Sequence, residues 1–328
     1  MSQYTVNGKK LLVTGAAGFI GACVVEQLTQ QGATVVGIDN LNDYYAPSLK
    51  RLRLESLWPS ESFEFNHLDV EDFGSLEELF DQHAFDAVLN LAARAGVRAS
   101  VENPFVYLTT NSNGSLNLLE LMRRHGVQKF VLASTSSLYA GLTGPFIETA
   151  EANTPISPYA ASKKSAEVMA YTYHDLFDID VSVVRYFTVY GPAGRPDMSP
   201  YRFINWVAEG KPIQLFGDGT QSRDFTYVDD IAAGTIAALR PVGYEIFNLG
   251  FGRPHTLLEM IELIEQLVGR EAKISFLPRQ STDMDSTWAN VDKARSLLDW
   301  QAHVPLAEGL KRTWKWHESH MHNLVEGN

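Results

Sequence analysis

Glycines at positions 15, 18 and 21 follow the short apolar run Leu11-Leu12-Val13-Thr14 and open an amphipathic stretch from about Phe19 to Gln31. No other feature constrains the fold as tightly, because strand, turn and helix must succeed one another within a few residues. Gly15 permits the turn off the strand, Gly18 lets backbone approach a pyrophosphate, and Gly21 lets the helix close on the sheet. The helix amides near Phe19 and Ile20 then point at the phosphates. A loop of this kind holds a dinucleotide.

The rest of the first half repeats the alternation. Lys10 to Thr14 and Thr34 to Asp39 flank the first helix. Ser62 to Leu68, Ala87 to Leu91, Phe130 to Ala133 and Val181 to Tyr186 are further strand candidates. Each is nearly all apolar, as expected where helices cover both faces of a sheet. Helical patterns fall between them, notably Val101 to His125 and Pro158 to Phe177. The reading is α/β, a doubly wound parallel sheet of the Rossmann type. After Tyr190 the run Gly191-Pro192-Ala193-Gly194-Arg195-Pro196 signals a loop, and the remaining sequence reads as irregular with shorter helices. Residues 1–190 are therefore assigned to a dinucleotide-binding domain and 191–328 to a smaller substrate-binding lobe. Glu245 to Leu249 returns as one more sheet strand near 245–250, which interleaves the two.

Composition narrows the class. A chain of 328 residues, 45% hydrophobic, suffices for one large core and a smaller lobe. A formal charge of −12 argues against nucleic acid or an acidic membrane surface as partner, so bound anions must be met by local arginines and helix N-termini. No run approaches about 18 consecutive apolar residues. Met1 to Lys10 is polar and lacks the apolar core of a secretion signal, and a cytoplasmic protein is expected. The lone Cys23 excludes an internal disulfide and reads as helix packing.

Three further placements carry chemistry. Asp39 ends the second strand, where a carboxylate binds adenosine ribose hydroxyls and repels a 2′-phosphate, favouring NAD over NADP. Lys50 and Arg51 fall on the following helix and read as a solvated face, and Asp69 stands where it can reach the adenine amino group. Tyr159 and Lys163 lie one helical turn apart on one face. An ammonium there, with the nicotinamide cation, favours phenolate and brings the tyrosine toward general-base duty near pH 7. At the end of the fifth strand stand Ser134-Thr135-Ser136-Ser137-Leu138-Tyr139, hydroxyls beyond a strand's carboxyl end where open α/β sheets bind ligands.

The chain resembles the extended short-chain dehydrogenase/reductase superfamily over almost its whole length, and more narrowly the UDP-glucuronic acid 4-epimerases. The likeness is carried by Ala92-Ala93-Arg94-Ala95-Gly96-Val97-Arg98, Glu102-Asn103-Pro104, Arg185-Tyr186-Phe187-Thr188-Val189-Tyr190-Gly191-Pro192, Gly194-Arg195-Pro196-Asp197-Met198 and Arg223-Asp224-Phe225-Thr226-Tyr227. The resemblance implies Tyr159 as base, Lys163 as its electrostatic partner and Thr135 on the C4 hydroxyl. It implies Ser136, Ser137 and Thr188 on the uronate carboxylate. Asn40, Val70, Leu91, Ala92, Ala93, Arg94 and Asn111 become cofactor-side residues, with Tyr186 and Val189 beside the nicotinamide. Arg98, Arg195 and Arg223 would meet the charged parts of a UDP-sugar, and Gln214, Leu215 and Phe216 would line the uracil pocket. Arg279 falls at a diphosphate position, in a run, Arg279-Gln280-Ser281-Thr282-Asp283, that departs from the family's Arg-x-Gly-Asp-like turn.

The implied reaction is reversible C4 epimerisation of UDP-glucuronate to UDP-galacturonate, with tightly bound NAD and a 4-keto intermediate. Decarboxylation of UDP-glucuronate and epimerisation of neutral UDP-hexoses are the alternatives, and a non-catalytic dinucleotide sensor is a different class. By the resemblance, decarboxylases carry a glutamate where Ser137 stands, and dehydratases an Asp-Glu pair after the threonine. A carboxylate there would repel the substrate's own by about 1 kcal/mol or more at contact even in water. The resemblance also implies a homodimer through the Val101 to His125 and Pro158 to Phe177 helices. His317, His320 and His322 read as a polar helix end, and no metal is expected.

Overall fold

The computed structural model describes residues 4–58, 60–279 and 284–325, with backbone alone for 321–325. Strands β1 (Lys10–Thr14), β2 (Thr34–Asp39), β3 (Phe63–His67), β4 (Ala87–Asn90), β5 (Lys129–Thr135) and β6 (Asp180–Tyr186) join the strand Tyr244–Leu249 in one sheet. Its order is Tyr244–Leu249, β6, β5, β4, β1, β2, β3, with every neighbouring pair parallel. The order reverses between β1 and β4, which opens a crevice at the carboxyl ends of those strands.

The apolar runs form strands because both sheet faces are covered. Leu11, Val13, Val35, Val131 and Val184 pack into one buried cluster, with helix α1 (Phe19–Gln30) and the helix Val228–Ala237. Their neighbours Leu12, Val36, Phe130, Leu132 and Val183 pack into the other, under helix α3 (Phe73–Gln82) and the helices Gly114–His125 and Pro158–Phe177. Period-two alternation thus sends successive side chains to opposite cores. Helix α2 (Pro47–Leu57) packs beside α1. A third cluster, built on Phe203, Ile213, Leu215, Ile261 and Leu310, forms the core of a smaller lobe. Val228, Ile231, Ala294 and Trp300, all beyond residue 190, join the first cluster.

Two expectations are corrected. The stretch from Val101 to His125 is not one helix. It breaks after Val97–Glu102, where Asn103 adopts a non-helical backbone (φ −138°, ψ 83°) ahead of Pro104, because a residue before proline avoids the helical region. It then passes through a π-helical turn, Leu108–Asn113, before Gly114–His125. Beyond Tyr190 the helices are not uniformly short: Leu306–Val325 has 20 residues, as many as Pro158–Phe177. Among the described residues no helix is long and apolar enough to cross a membrane, and no three His, Cys, Asp or Glu side chains are grouped to hold a metal. The side chain of His322 and residues 280–283 lie outside the described residues.

Candidate functional site

A cavity of about 370 Å³ opens along the crevice, lined by residues that run in the sequence from Gly15 to Met198. Gly15 turns the chain off β1 with φ +69°, and a Cβ there would meet the Ala92 backbone nitrogen at 2.8 Å. A Cβ on Gly21 would overlap the Gly15 carbonyl. Helix α1 begins at Gly18 with no side-chain cap, so the amides of its first turn remain for a ligand. Phe19, Ile20, Val70, Leu91, Ala92 and Ala93 line the same cavity. This cradle fits a dinucleotide pyrophosphate.

At the carboxyl end of β2, Asp39 Oδ1 accepts a hydrogen bond from the Leu41 amide at 2.8 Å and faces Lys50 Nζ at 3.4 Å. Lys50 is not on a solvated face, as the sequence suggests, but buried, and burial lowers its ammonium pKa while Asp39 opposes that shift. Helix α2 buries Leu49, Lys50, Arg53, Leu54 and Leu57, a stripe of helical period in which two cations occupy core positions. Asn40 Nδ2 donates to Asp69 Oδ2 at 2.7 Å, and both residues line the cavity.

The catalytic candidates converge from two elements. Ser157 caps the helix Pro158–Phe177 by accepting from the Ala160 amide at 3.2 Å, which puts Tyr159 in the first turn. Thr135 ends β5, accepts from the Ser137 amide at 3.1 Å and stands within hydrogen-bonding reach of the Tyr159 phenol. Ser136 and Ser137 form the short turn beyond it, and Thr135, Ser136, Ser137, Tyr159 and Lys163 all line the cavity. Burial pushes the Tyr159 phenol up, opposed by the Thr135 hydroxyl and then the Arg195 guanidinium. Lys163, expected to act on that phenol, is not among the groups that do. The same desolvation that disfavours a phenolate lowers the Lys163 ammonium to about 8, against the pull of Glu167. Glu167 is itself buried, accepting from Ser134 Oγ at 2.6 Å and from Arg185 Nε and Nη2 at 2.9 and 2.7 Å. That ion pair ties the catalytic helix to β6.

Thr188, Val189 and Tyr186 also line the cavity. The Tyr186 hydroxyl is turned away to Thr235 at 2.8 Å. Arg195 chelates Asp197 through Nε and Nη2 at 3.0 and 2.6 Å and lies over the Tyr44 ring.

A family model described as the NAD dependent epimerase/dehydratase family matches residues 11–250. The chain belongs to that family. It is 56% identical to UDP-glucuronate 4-epimerase of Thermodesulfobacterium geofontis over 306 residues, which span 93% of this chain and 95% of that protein. UDP-glucuronic acid 4-epimerase from Bacillus cereus, solved with UDP-glucuronic acid and NAD, is similar with a TM-score of 0.89 and 37% identity. That likeness covers 94% of this chain and 99% of that one. UDP-glucose 4-epimerase from Thermotoga maritima, solved with UDP-glucose, gives a TM-score of 0.85 at 32% identity over 95% and 99% of the two chains.

For this member of the family, several expected contacts lie off the cavity. Asn111 is buried in the π-helical turn, accepting from the Arg94 amide at 2.8 Å and donating to Arg94 O and Ser162 Oγ, both at 2.9 Å. It braces the Arg94 loop against the catalytic helix. Leu215 is corrected too: alternation along Ile213–Phe216 buries it in the smaller lobe's core and leaves Gln214 and Phe216 outward. Arg98 stacks over Phe216 at 4.6 Å. Arg223 donates to Ser222 O at 2.7 Å, and Arg279 is half exposed and paired with Asp285. Cys23 packs half-buried against the first core cluster, its thiol 3.1 Å from Asp229 Oδ1. Sequence reasoning passed over Asn42, Tyr44, Tyr45 and Thr110, which also line the cavity. The polar run Asn40-Leu41-Asn42-Asp43-Tyr44-Tyr45 directly after β2 was the available signal.

Proposed function

We propose that the protein inverts C4 of UDP-glucuronate to give UDP-galacturonate, reversibly, with NAD held tightly throughout. The observation that carries this reading is the hydroxyl run Thr135-Ser136-Ser137 facing the same cavity as Tyr159. A carboxylate at Ser137 would repel a uronate, whereas hydroxyls hold it by neutral hydrogen bonds and keep it. The relatives named for UDP-glucuronate epimerisation support the same substrate.

In this reading Gly15, Gly18, Phe19, Ile20 and Gly21 hold the pyrophosphate, Asp39, Asn40, Asp69 and Val70 the adenosine, and Leu91 to Arg94 the crevice wall. Tyr186 and Val189 flank the nicotinamide and Lys163 its ribose. NAD supplies an acceptor for the C4 hydride and its return. Tyr159 takes the C4 hydroxyl proton and gives it back, and Thr135 orients that hydroxyl. Thr135 and Arg195 favour the phenolate against the burial that opposes it, and Lys163, charged below about pH 8, acts through the ribose it holds. Ser136, Ser137 and Thr188 grip the uronate. Arg98, Arg195 and Arg223 meet the diphosphate, with Gln214 and Phe216 at the base and Arg279 at its rim. The cofactor domain comprises residues 1–190 with the returning strand, and the sugar-nucleotide lobe the rest of 191–328.

Exposed Val101, Phe105, Val168, Tyr171 and Leu176 on the helices Val97–Glu102, Phe105–Tyr107 and Pro158–Phe177 support a homodimer through that face. Product analysis by NMR on UDP-glucuronate tests the activity. UDP-galacturonate without loss of CO₂ is expected, a UDP-pentose as main product replaces the reading with decarboxylation, and no turnover overturns it.

A further inference from the structure

Arg53 on α2 is a buried cation whose hydrogen-bond partners are all neutral. The residue is 4% exposed. Its Nε and Nη2 reach Ala193 O at 3.0 and 2.6 Å, and Nη1 reaches Ala17 O at 3.1 Å and the Tyr45 hydroxyl at 2.7 Å. The Phe19 and Tyr45 rings lie against it at 5.9 and 5.4 Å. Asp39, the carboxylate that acts on it, is already paired with Lys50. An ionised group taken out of water without an opposite charge is unfavourable unless something compensates it.

The three acceptors explain the position. Ala17 belongs to the glycine loop. Tyr45 lines the cavity beside the adenosine end. Ala193 belongs to the turn that carries Arg195 and Met198, which also line the cavity. Ala193 also holds a left-handed backbone, φ +51°, which a residue with a Cβ adopts only when its surroundings hold it there. Arg53 places two hydrogen bonds on the carbonyl of this residue.

We propose that Arg53 is a positioning residue that couples the two ligand sites: it locks the 191–198 turn to the glycine loop, and ligand phosphates in the cradle supply its missing counter-charge. Filling the cofactor site then strengthens the sugar-nucleotide site, and by linkage the converse holds by the same factor. The second site rests on the sugar-nucleotide reading of the proposed function.

The test is calorimetric binding of UDP to the full chain, stripped of NAD and reloaded with it, for wild type, Arg53→Met and Arg53→Lys. Wild type is expected to bind UDP at least about tenfold more tightly when NAD-loaded, within the usual range of coupling between sites. Both variants should bring that ratio near one, since a lysine cannot span three acceptors as a planar fork does. They should also retain less NAD through gel filtration. An unchanged ratio in either variant overturns the proposal, as does a wild-type ratio of one. Should Arg53→Met fail to fold, Arg53→Lys decides alone. Wild type that binds NAD but no UDP at all sinks the sugar-nucleotide assignment instead, and NAD retention in the variants then tests Arg53 by itself.

Discussion

Replacing Gly21 by alanine adds one methyl group at the place where helix α1 meets the cofactor loop. The new carbon would overlap the Gly15 carbonyl oxygen and lie 2.8 Å from the Gly15 carbonyl carbon. Carbon–carbon contacts settle at about 3.5–4.0 Å, so the helix must retreat by about 1 Å. Overpacking of this kind costs about 1–3 kcal/mol. The same retreat carries the first-turn amides away from the pyrophosphate, and a loss of that size there weakens NAD binding roughly 5- to 150-fold. Gly74→Ala is the control: its Cβ would lie 3.7 Å from Asp72 Oδ1, an ordinary contact near the start of α3, and it should be neutral or stabilise by up to about 1 kcal/mol. The assay is NAD released per chain on denaturation, with the urea midpoint read on the same samples. Gly21→Ala protein that keeps full NAD and an unshifted midpoint would refute the packing argument.

Three other substitutions probe the catalytic end. Tyr159→Phe should retain NAD yet lose turnover by about 10²–10⁴-fold, the usual worth of a positioned acid–base group, and near-normal turnover removes Tyr159 from the chemistry. Lys163 is lowered to about 8, so its charge is present below that pH and lost as pH rises through it. kcat/KM should therefore fall above pH 8 with one-proton slope, and Lys163→Arg, which cannot deprotonate in that range, should abolish the limb even if its rate is lower. Glu167→Gln leaves the buried Arg185 without its partner and should destabilise by about 3–5 kcal/mol in urea unfolding. A loss under about 1 kcal/mol would mean that the pair is not desolvated as described.

The parts of the molecule legible in sequence share a physical cause. β1, β2, β5 and β6 can be read because strands covered on both faces carry mostly apolar runs, and the glycine loop because its spacing meets a backbone requirement. Misreadings arise where one residue overrides a pattern. Pro104 interrupts an apolar periodicity that otherwise runs on, and a π-helical turn follows in which Asn111 bonds Arg94 and Ser162. Lys50 reads as solvated because cations usually are, although it shares a helical stripe with Leu49, Arg53, Leu54 and Leu57. Leu215 reads as a pocket residue along with its neighbours, where strand alternation sends it inward. For Lys50 and Leu215, periodicity holds the information and residue chemistry misleads.

The outermost parallel strand, Tyr244–Leu249, reaches β6 only after the chain has wandered through the smaller lobe. A fragment ending at residue 190 would bare the amides and carbonyls of Asp180–Tyr186 along one margin, a template for edge-to-edge aggregation. Anyone dividing this protein, or grafting a relative's specificity onto it, must keep Tyr244–Leu249 and the helix Val228–Ala237 with the sheet they pack on.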